Sequence, residues 1–143
     1  MHDTSTYLCD TITCIGDIIT YLGVIMSQRS AFSDTELAYL RNGGHRLARI
    51  ATVGGDGMPH VVPAGWVYND QLDTIDVTGH SVEQTKKFRD VQRAAKAAVV
   101  IDDLASADPW RPRAVEVRGR AEAVREPAAL IRIHPDRVVS WGL

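Results

Sequence analysis

Asp73-Thr74-Ile75-Asp76-Val77-Thr78-Gly79-His80-Ser81-Val82-Glu83-Gln84-Thr85-Lys86-Lys87-Phe88-Arg89-Asp90-Val91 is the stretch that decides the fold. Its first part alternates, with Ile75 and Val77 on one face and Thr74, Asp76 and Thr78 on the other, which is the period of a strand. Its second part reads as a helix. Ser81 is a good N-cap, and Gln84 three residues later completes a capping box. Helical spacing then puts Gln84, Phe88, Val91 and Ala95 on one face. Lys87 flanks that face at the border of core and solvent, whereas Lys86 points roughly the opposite way. A helix start offers free N–H groups and partial positive charge. Ser81 and Thr85 hydroxyls and the Lys87 ammonium would complete an anion site there. Glu83, in the same predicted first turn, opposes this. The pattern is far weaker than a P-loop, and on local spacing alone a solvated helix with surface lysines is the better account.

Working outward, the flanking segments are short and β-compatible. Arg46 to Val53 and Met58 to Tyr68 surround Gly54-Gly55-Asp56-Gly57 and read as a hairpin. Pro59 and Pro63 remove two ladder donors, which places that segment at an edge or beside a ligand or bulge. Ala97 to Ile101 is wholly apolar, the mark of a strand covered on both faces. Asp102 to Pro112 is expected to be an irregular loop carrying Trp110. Arg113 to Val124 alternates strictly, with Glu116, Arg118, Arg120 and Glu122 expected to pair along a solvated face. Gly119 in its middle predicts a bulge or a close approach. Leu130 to Trp141 is strand-like but interrupted by His134-Pro135-Asp136. Upstream, Ser33-Asp34-Thr35-Glu36 is a capping box for a short helix with Phe32, Leu37 and Leu40 as its apolar stripe, stopped by Asn42-Gly43-Gly44. About six or seven hairpin-linked strands with one internal helix predict a mainly β, α+β fold: a closed or partly open antiparallel barrel rather than a doubly wound sheet.

The 143 residues suit one domain with one core, and a net charge of −2 gives no general reason to expect nucleic acid. Residues 1–30 differ from the remainder and are expected to be a non-core extension, with residues 31–143 forming the domain. Met26 is a natural alternative start, so residues 1–25 are expected to be an upstream addition. Ile15 to Met26 is interrupted by Asp17 and is far shorter than a membrane span. Cys9 and Cys14 lie in this segment with no His cluster nearby, short of the about four ligands a zinc site needs. A core without cysteine suits a cytoplasmic location.

Acyl-transfer chemistry has nothing to rest on: no serine sits in a GxSxG elbow, and neither cysteine has an evident base. His60, His80 and His134 are scattered, without metal-ligand spacing. No catalytic acid or base stands out. Trp66, Trp110 and Trp141 are more often core or interface residues than ring stackers.

The segments RLARIATVGGDGMPHVVPAGWVY, DTIDVTGHSVEQTKKFRDV, KAAVVIDDLASADPWRPRAVEVRGRAEAV and IRIHPDRVVSWGL, taken together, resemble the pyridoxamine 5′-phosphate oxidase-like split β-barrel superfamily over residues 32–143. Within it the chain looks closest to the PPOX-class branch dependent on the deazaflavin coenzyme F420. The resemblance implies a six-stranded split barrel of the FMN-binding type, acting as a homodimer with the cofactor in a groove at the subunit interface. It places the cofactor phosphate on Lys87, with Thr85 and Lys86 as neighbours. Val62, Pro63, Ala64, Thr78, Gly79 and His80 would run along the ring, and Trp141 would reach it from the partner subunit. It implies an oxidoreductase that moves a hydride between F420 and a small conjugated substrate. FMN is the alternative cofactor, and a non-enzymatic cofactor carrier the alternative role. The chain ends at Leu143, without the arginine- and histidine-bearing C-terminal part of a genuine pyridoxamine phosphate oxidase, so oxidation of that substrate is not expected.

Overall fold

A computed structural model describes residues 29–143, and the expectations for residues 1–25 therefore fall outside the described residues. Six strands close into one antiparallel barrel in the order β1-β2-β3-β6-β5-β4. They are β1 (Ala48–Val53), β2 (Pro59–Asn69), β3 (Thr74–Thr78), β4 (Lys96–Ser106), β5 (Arg111–Val124) and β6 (Leu130–Trp141), with helices α1 (Asp34–Arg41) and α2 (Lys86–Ala94). Their inward-facing Ile50, Ile75, Val77, Val99, Ile101, Val115, Val117, Ile131 and Ile133 form a dry core, with Phe88 and Val82 closing one end. Phe32, Tyr39 and Leu40 of the α1 segment join the same core.

β3 is the short member. Its five residues pair with β2 only from Gly65 to Asn69, and with β6 only from Ile131 to Ile133. Between Pro59 and Ala64, β2 therefore has β1 as its single ladder partner. The two prolines sit where that edge is open, as a missing N–H requires. Beyond Ile133 the corresponding edge of β6 lies at the α1 end, where the Ser140 hydroxyl donates to Glu36 at 2.6 Å.

The α1 capping box forms as expected: the Glu36 N–H donates to Ser33 Oγ, and the Ser33 N–H donates back to the Glu36 carboxylate at 2.8 Å. The box predicted on Ser81 does not. Ser81 takes a left-handed conformation (φ 48°) and makes no side-chain cap bond. The chain instead makes one 3₁₀ turn, Val82–Gln84, and the α-helix starts at Lys86 with Thr85 as its N-cap. Burying Val82 draws the chain inward at the point where the box would have formed.

Three strand readings also change. β4 and β5 extend through most of the expected 102–112 loop, pairing Asp102 with Ala114, Asp103 with Arg113 and Leu104 with Pro112. The Asp103 carboxylate draws that extension together: it accepts from Arg113 (2.7 Å), Arg46 (2.6 Å) and the Tyr39 hydroxyl (3.0 Å). β6 runs unbroken through His134-Pro135-Asp136, because Asp136 is accommodated as the extra residue of a bulge opposite Arg118 and Gly119. Finally, Ala98 and Val100 on the outer face of β4 are only half-buried, so that strand is covered on one face.

Gly119 meets both expectations, since it sits at the bulge and in close approach. A Cβ there would collide with the His134 carbonyl and lie 2.9 Å from the Asp136 nitrogen. Gly119→Ala is expected to destabilise the fold by at least about 1–3 kcal/mol in urea unfolding, as overpacking against a backbone does. A change below about 0.5 kcal/mol would show that the bulge is not built around a missing side chain.

Candidate functional site

Where β3 leaves β2, Gly65 and Thr78 are the last cross-strand pair, with the Thr78 hydroxyl 3.2 Å from the position of a Gly65 Cβ. Ala64 and Gly79 are therefore adjacent chain continuations. The open edge of β2 carries half-buried Val62, exposed Pro63 and buried Ala64, while Gly79 and His80 are exposed. The 3₁₀ turn then delivers the start of α2.

Helix α2 is fixed by one carboxylate. Asp90 is buried and accepts from Thr52 Oγ1 of β1 at 2.9 Å, from Lys86 Nζ at 2.8 Å and from Arg93 Nη2 at 3.2 Å. Arg93 also donates to the Val53 carbonyl at 2.7 Å. The Lys86 ammonium, then the Thr52 and Arg93 donors, outweigh the cost of burial and hold the Asp90 carboxyl at about 2. His60 of β2 faces the same carboxylate, but Nδ1 to Oδ2 is 4.0 Å, too long for a hydrogen bond. That buried nitrogen has no partner among the described residues.

The two lysines are thus unlike, but not in the way helical geometry alone suggests. Lys86 is not simply solvated: its side chain is 49% exposed, yet its charge is paired to Asp90 one turn on. Lys87 is half-buried and has no ion pair or hydrogen bond among the described residues. Burial lowers its pKa. A desolvated cation without a counter-charge is poised to take an anion. The N–H groups of Lys86 and Lys87, at the first two helical positions, have no intrahelical acceptor. Thr85 is otherwise engaged, because its hydroxyl donates to the Val82 carbonyl at 2.6 Å and accepts from the Phe88 N–H. Glu83 lies in the 3₁₀ turn, and the first turn of α2 holds no acid. Glu83 thus stands before the helix rather than within its first turn.

Val62–Ala64 thus lie on the open stretch of β2, Thr78–His80 lead away from its last pair with β3, and Thr85–Lys87 begin the helix clamped to Thr52 and Val53. Trp141 closes the β5–β6 ladder opposite Ala114, one place beyond the row Ser140–Val115–Ile101–Ala48–Ala64. It is 45% exposed. Sequence reasoning missed Thr52, His60, Asp90 and Arg93. The i,i+4 spacing of Lys86 and Asp90 was an available signal; the β1 contacts were not, being long-range.

The pyridoxamine 5′-phosphate oxidase family model matches residues 34–141, which takes in the whole barrel. The chain belongs to that family. A reductase of Streptomyces rimosus, named for 5a,11a-dehydrotetracycline and 5a,11a-dehydrooxytetracycline, is 39% identical over 121 residues, 78% of this chain and 84% of the reductase. Both names are those of oxidoreductases, which places the chain among such enzymes. Among solved structures, a conserved hypothetical protein of Mycobacterium tuberculosis superposes with a TM-score of 0.63 at 21% identity, covering 81% of this chain and 89% of that one. A FAD-binding protein of Mesorhizobium loti gives 0.59 at 20% identity, covering 76% and 92%. At that identity these two establish the split-barrel fold. Among the described residues no helix is long and apolar enough to cross a membrane.

The Asp90 clamp makes a signed prediction. Its carboxyl is held at about 2 in the folded chain, against about 3.9 when unfolded. The stability it contributes is therefore complete above about pH 4 and is lost as pH falls toward about 2. In Asp90→Asn, urea-unfolding curves measured from pH 7 to pH 2 are expected to lose that part of the acid dependence. At pH 7 the variant is expected to be less stable by about 1.5–3 kcal/mol. Curves parallel to wild type across the range would contradict the assignment.

Proposed function

We propose that the chain is an F420-dependent oxidoreductase that passes a hydride to a small conjugated organic substrate. The half-buried, unpaired Lys87 at the start of α2 carries this reading, because it meets the one requirement that a phosphate-bearing cofactor imposes. Lys87 would hold the phosphate together with the backbone N–H groups of Lys86 and Lys87. Lys86 would act through Asp90, keeping the helix in place. The open edge at Val62–Ala64 and the Thr78–His80 segment would lie along the ring system and keep water from one side. When bound, the deazaflavin supplies the hydride chemistry, and the chain binds, orients and desolvates. The resemblance of the TKKFR, DDLASADPW and RVVSWG segments supports F420 over FMN.

The same reading makes the functional unit a homodimer. Trp141 is exposed, as a residue that reaches a groove on the partner subunit would be, and the family resemblance gives it that part. The similarity to a reductase named for dehydrotetracyclines supports a polycyclic, conjugated ketone-like substrate class. The reading places the protein in the cytoplasm.

Equilibrium titration of F420 and of FMN, followed by turnover with a panel of conjugated enones, tests the proposal. F420 is expected to bind more tightly, and Lys87→Ala to weaken it by about 1–3 kcal/mol, roughly 5- to 150-fold. Yellow, FMN-loaded protein as isolated would redirect the reading to a flavoprotein. Tight F420 binding without turnover of any enone would make the chain a carrier. An unchanged F420 affinity in Lys87→Ala would remove the phosphate assignment.

A further inference from the structure

A second groove, of about 770 Å³, runs along the outer face of the barrel over β1, β4 and β5, beside the C-terminal end of α2. Lys86 and Lys87 do not line it. Its floor is made of small apolar side chains, chiefly Ala51, Val53 and Ala98. Its rim is cationic: Lys96, Arg118, Arg120 and Arg137.

The ladder registers show how unusual this rim is. Lys96 of β4 stands directly opposite Arg120 of β5, and Arg118 of β5 directly opposite Arg137 of β6. All four are exposed on the outer face. Like charges directly opposite each other on neighbouring strands are destabilising, and here two such pairs sit in successive rows. Only part of the charge is answered by the chain. Arg118 forms a bidentate pair with Glu116 at 2.6 and 3.0 Å. Arg137 lies close enough to Glu116 to help lower its pKa, after Arg118 and against burial. The Asp136 carboxylate takes the Arg120 backbone N–H, not its guanidinium. Neither Lys96 nor the Arg120 guanidinium has a side-chain partner among the described residues. Glu122, the acid expected to pair with Arg120, faces His134 at 3.3 Å instead. In register, Ala51, Ala98, Arg118 and Arg137 form one continuous row, so an apolar shelf runs straight into the cations.

We propose that this groove is a binding site for a flat, conjugated anion: its ring system lies on the Ala51–Val53–Ala98 shelf, and its acid group sits between Lys96 and Arg120. The site is separate from the one at Lys87 and does not depend on the cofactor reading. A carboxylate, sulfonate or phosphate on an aromatic body has the required chemistry, whether it is a substrate, a product or an effector.

The test uses the full chain, labelled with ¹⁵N, and naphthalene-2-sulfonate as the probe, with uncharged 2-naphthalenemethanol as the control. Saturable shifts are expected at the Ala98, Gly119 and Arg120 amides, with the uncharged control binding at least about tenfold more weakly. A Lys96→Gln/Arg120→Gln variant is expected to lose about tenfold in probe affinity. Its thermal midpoint without probe is expected to be equal to or above that of wild type, because a like-charge pair has been removed. Lys87→Ala is expected to leave probe binding unchanged. Adding F420 is expected to leave the probe in place, and displacement by F420 would make the groove part of the cofactor site and overturn the proposal. The proposal is overturned if the sulfonate and the alcohol bind equally. It is also overturned if no saturable shifts appear at those amides, or if the double variant changes sedimentation from dimer to monomer, which would make the groove a subunit contact.

Discussion

The barrel depends on one strand being too short. β3 gives five residues to a sheet whose neighbours β2 and β6 run for eleven and twelve. An antiparallel barrel closes only where ladders are complete, so each long neighbour keeps an open edge past the end of β3. On the β6 side α1 covers that edge, through Glu36 and Ser140. On the β2 side the edge stays open at Pro59–Ala64, and the chain leaving β3 must turn past it. The unpaired edge at Val62–Ala64 and the tolerance of two prolines both follow from that shortfall.

What the opening becomes is decided by charge. Helix α2 brings Lys86, Lys87 and Arg93 toward one end of the barrel, and a single buried carboxylate, Asp90, takes two of them. Lys87 remains half-buried and uncompensated among the described residues, with its pKa lowered by that burial. The same carboxylate reaches across to Thr52, so the clamp that allots the charges also fixes the helix on β1. Position and electrostatics of the candidate site thus come from one group. The phosphate-bearing cofactor proposed above would complete this charge balance.

Much of the barrel was legible because its signals are local. Alternation in 73–79 and 113–124, the Gly54–Gly57 turn and the Ser33–Glu36 box each need only neighbouring residues, and each appears in the structure. The failures share a cause. Ser81 and Gln84 have the residues of a capping box, but burial of Val82, a tertiary effect, diverts the chain and moves the cap to Thr85. The 102–112 segment looks irregular until Asp103 is seen to bind Arg46 and Arg113 from other strands. His134-Pro135-Asp136 looks like a break until Gly119, on the facing strand, supplies room for a bulge. Lys87 was legible from helical geometry. Its freedom from a partner was not, because that depends on Asp90 choosing Lys86. The paired cations on the outer face were hidden for the same reason, since register across strands is not written in either strand alone.

The central claim is that the open β2 edge and the start of α2 form one wall of a cofactor groove. Amide hydrogen exchange with and without saturating F420 tests it most directly. The account predicts slowed exchange at Val62, Ala64, Gly79, His80, Lys86 and Lys87, together with residues near Trp141 contributed by the partner subunit. Protection confined to the outer groove at Ala98 and Arg120, or none at the α2 start, would contradict it.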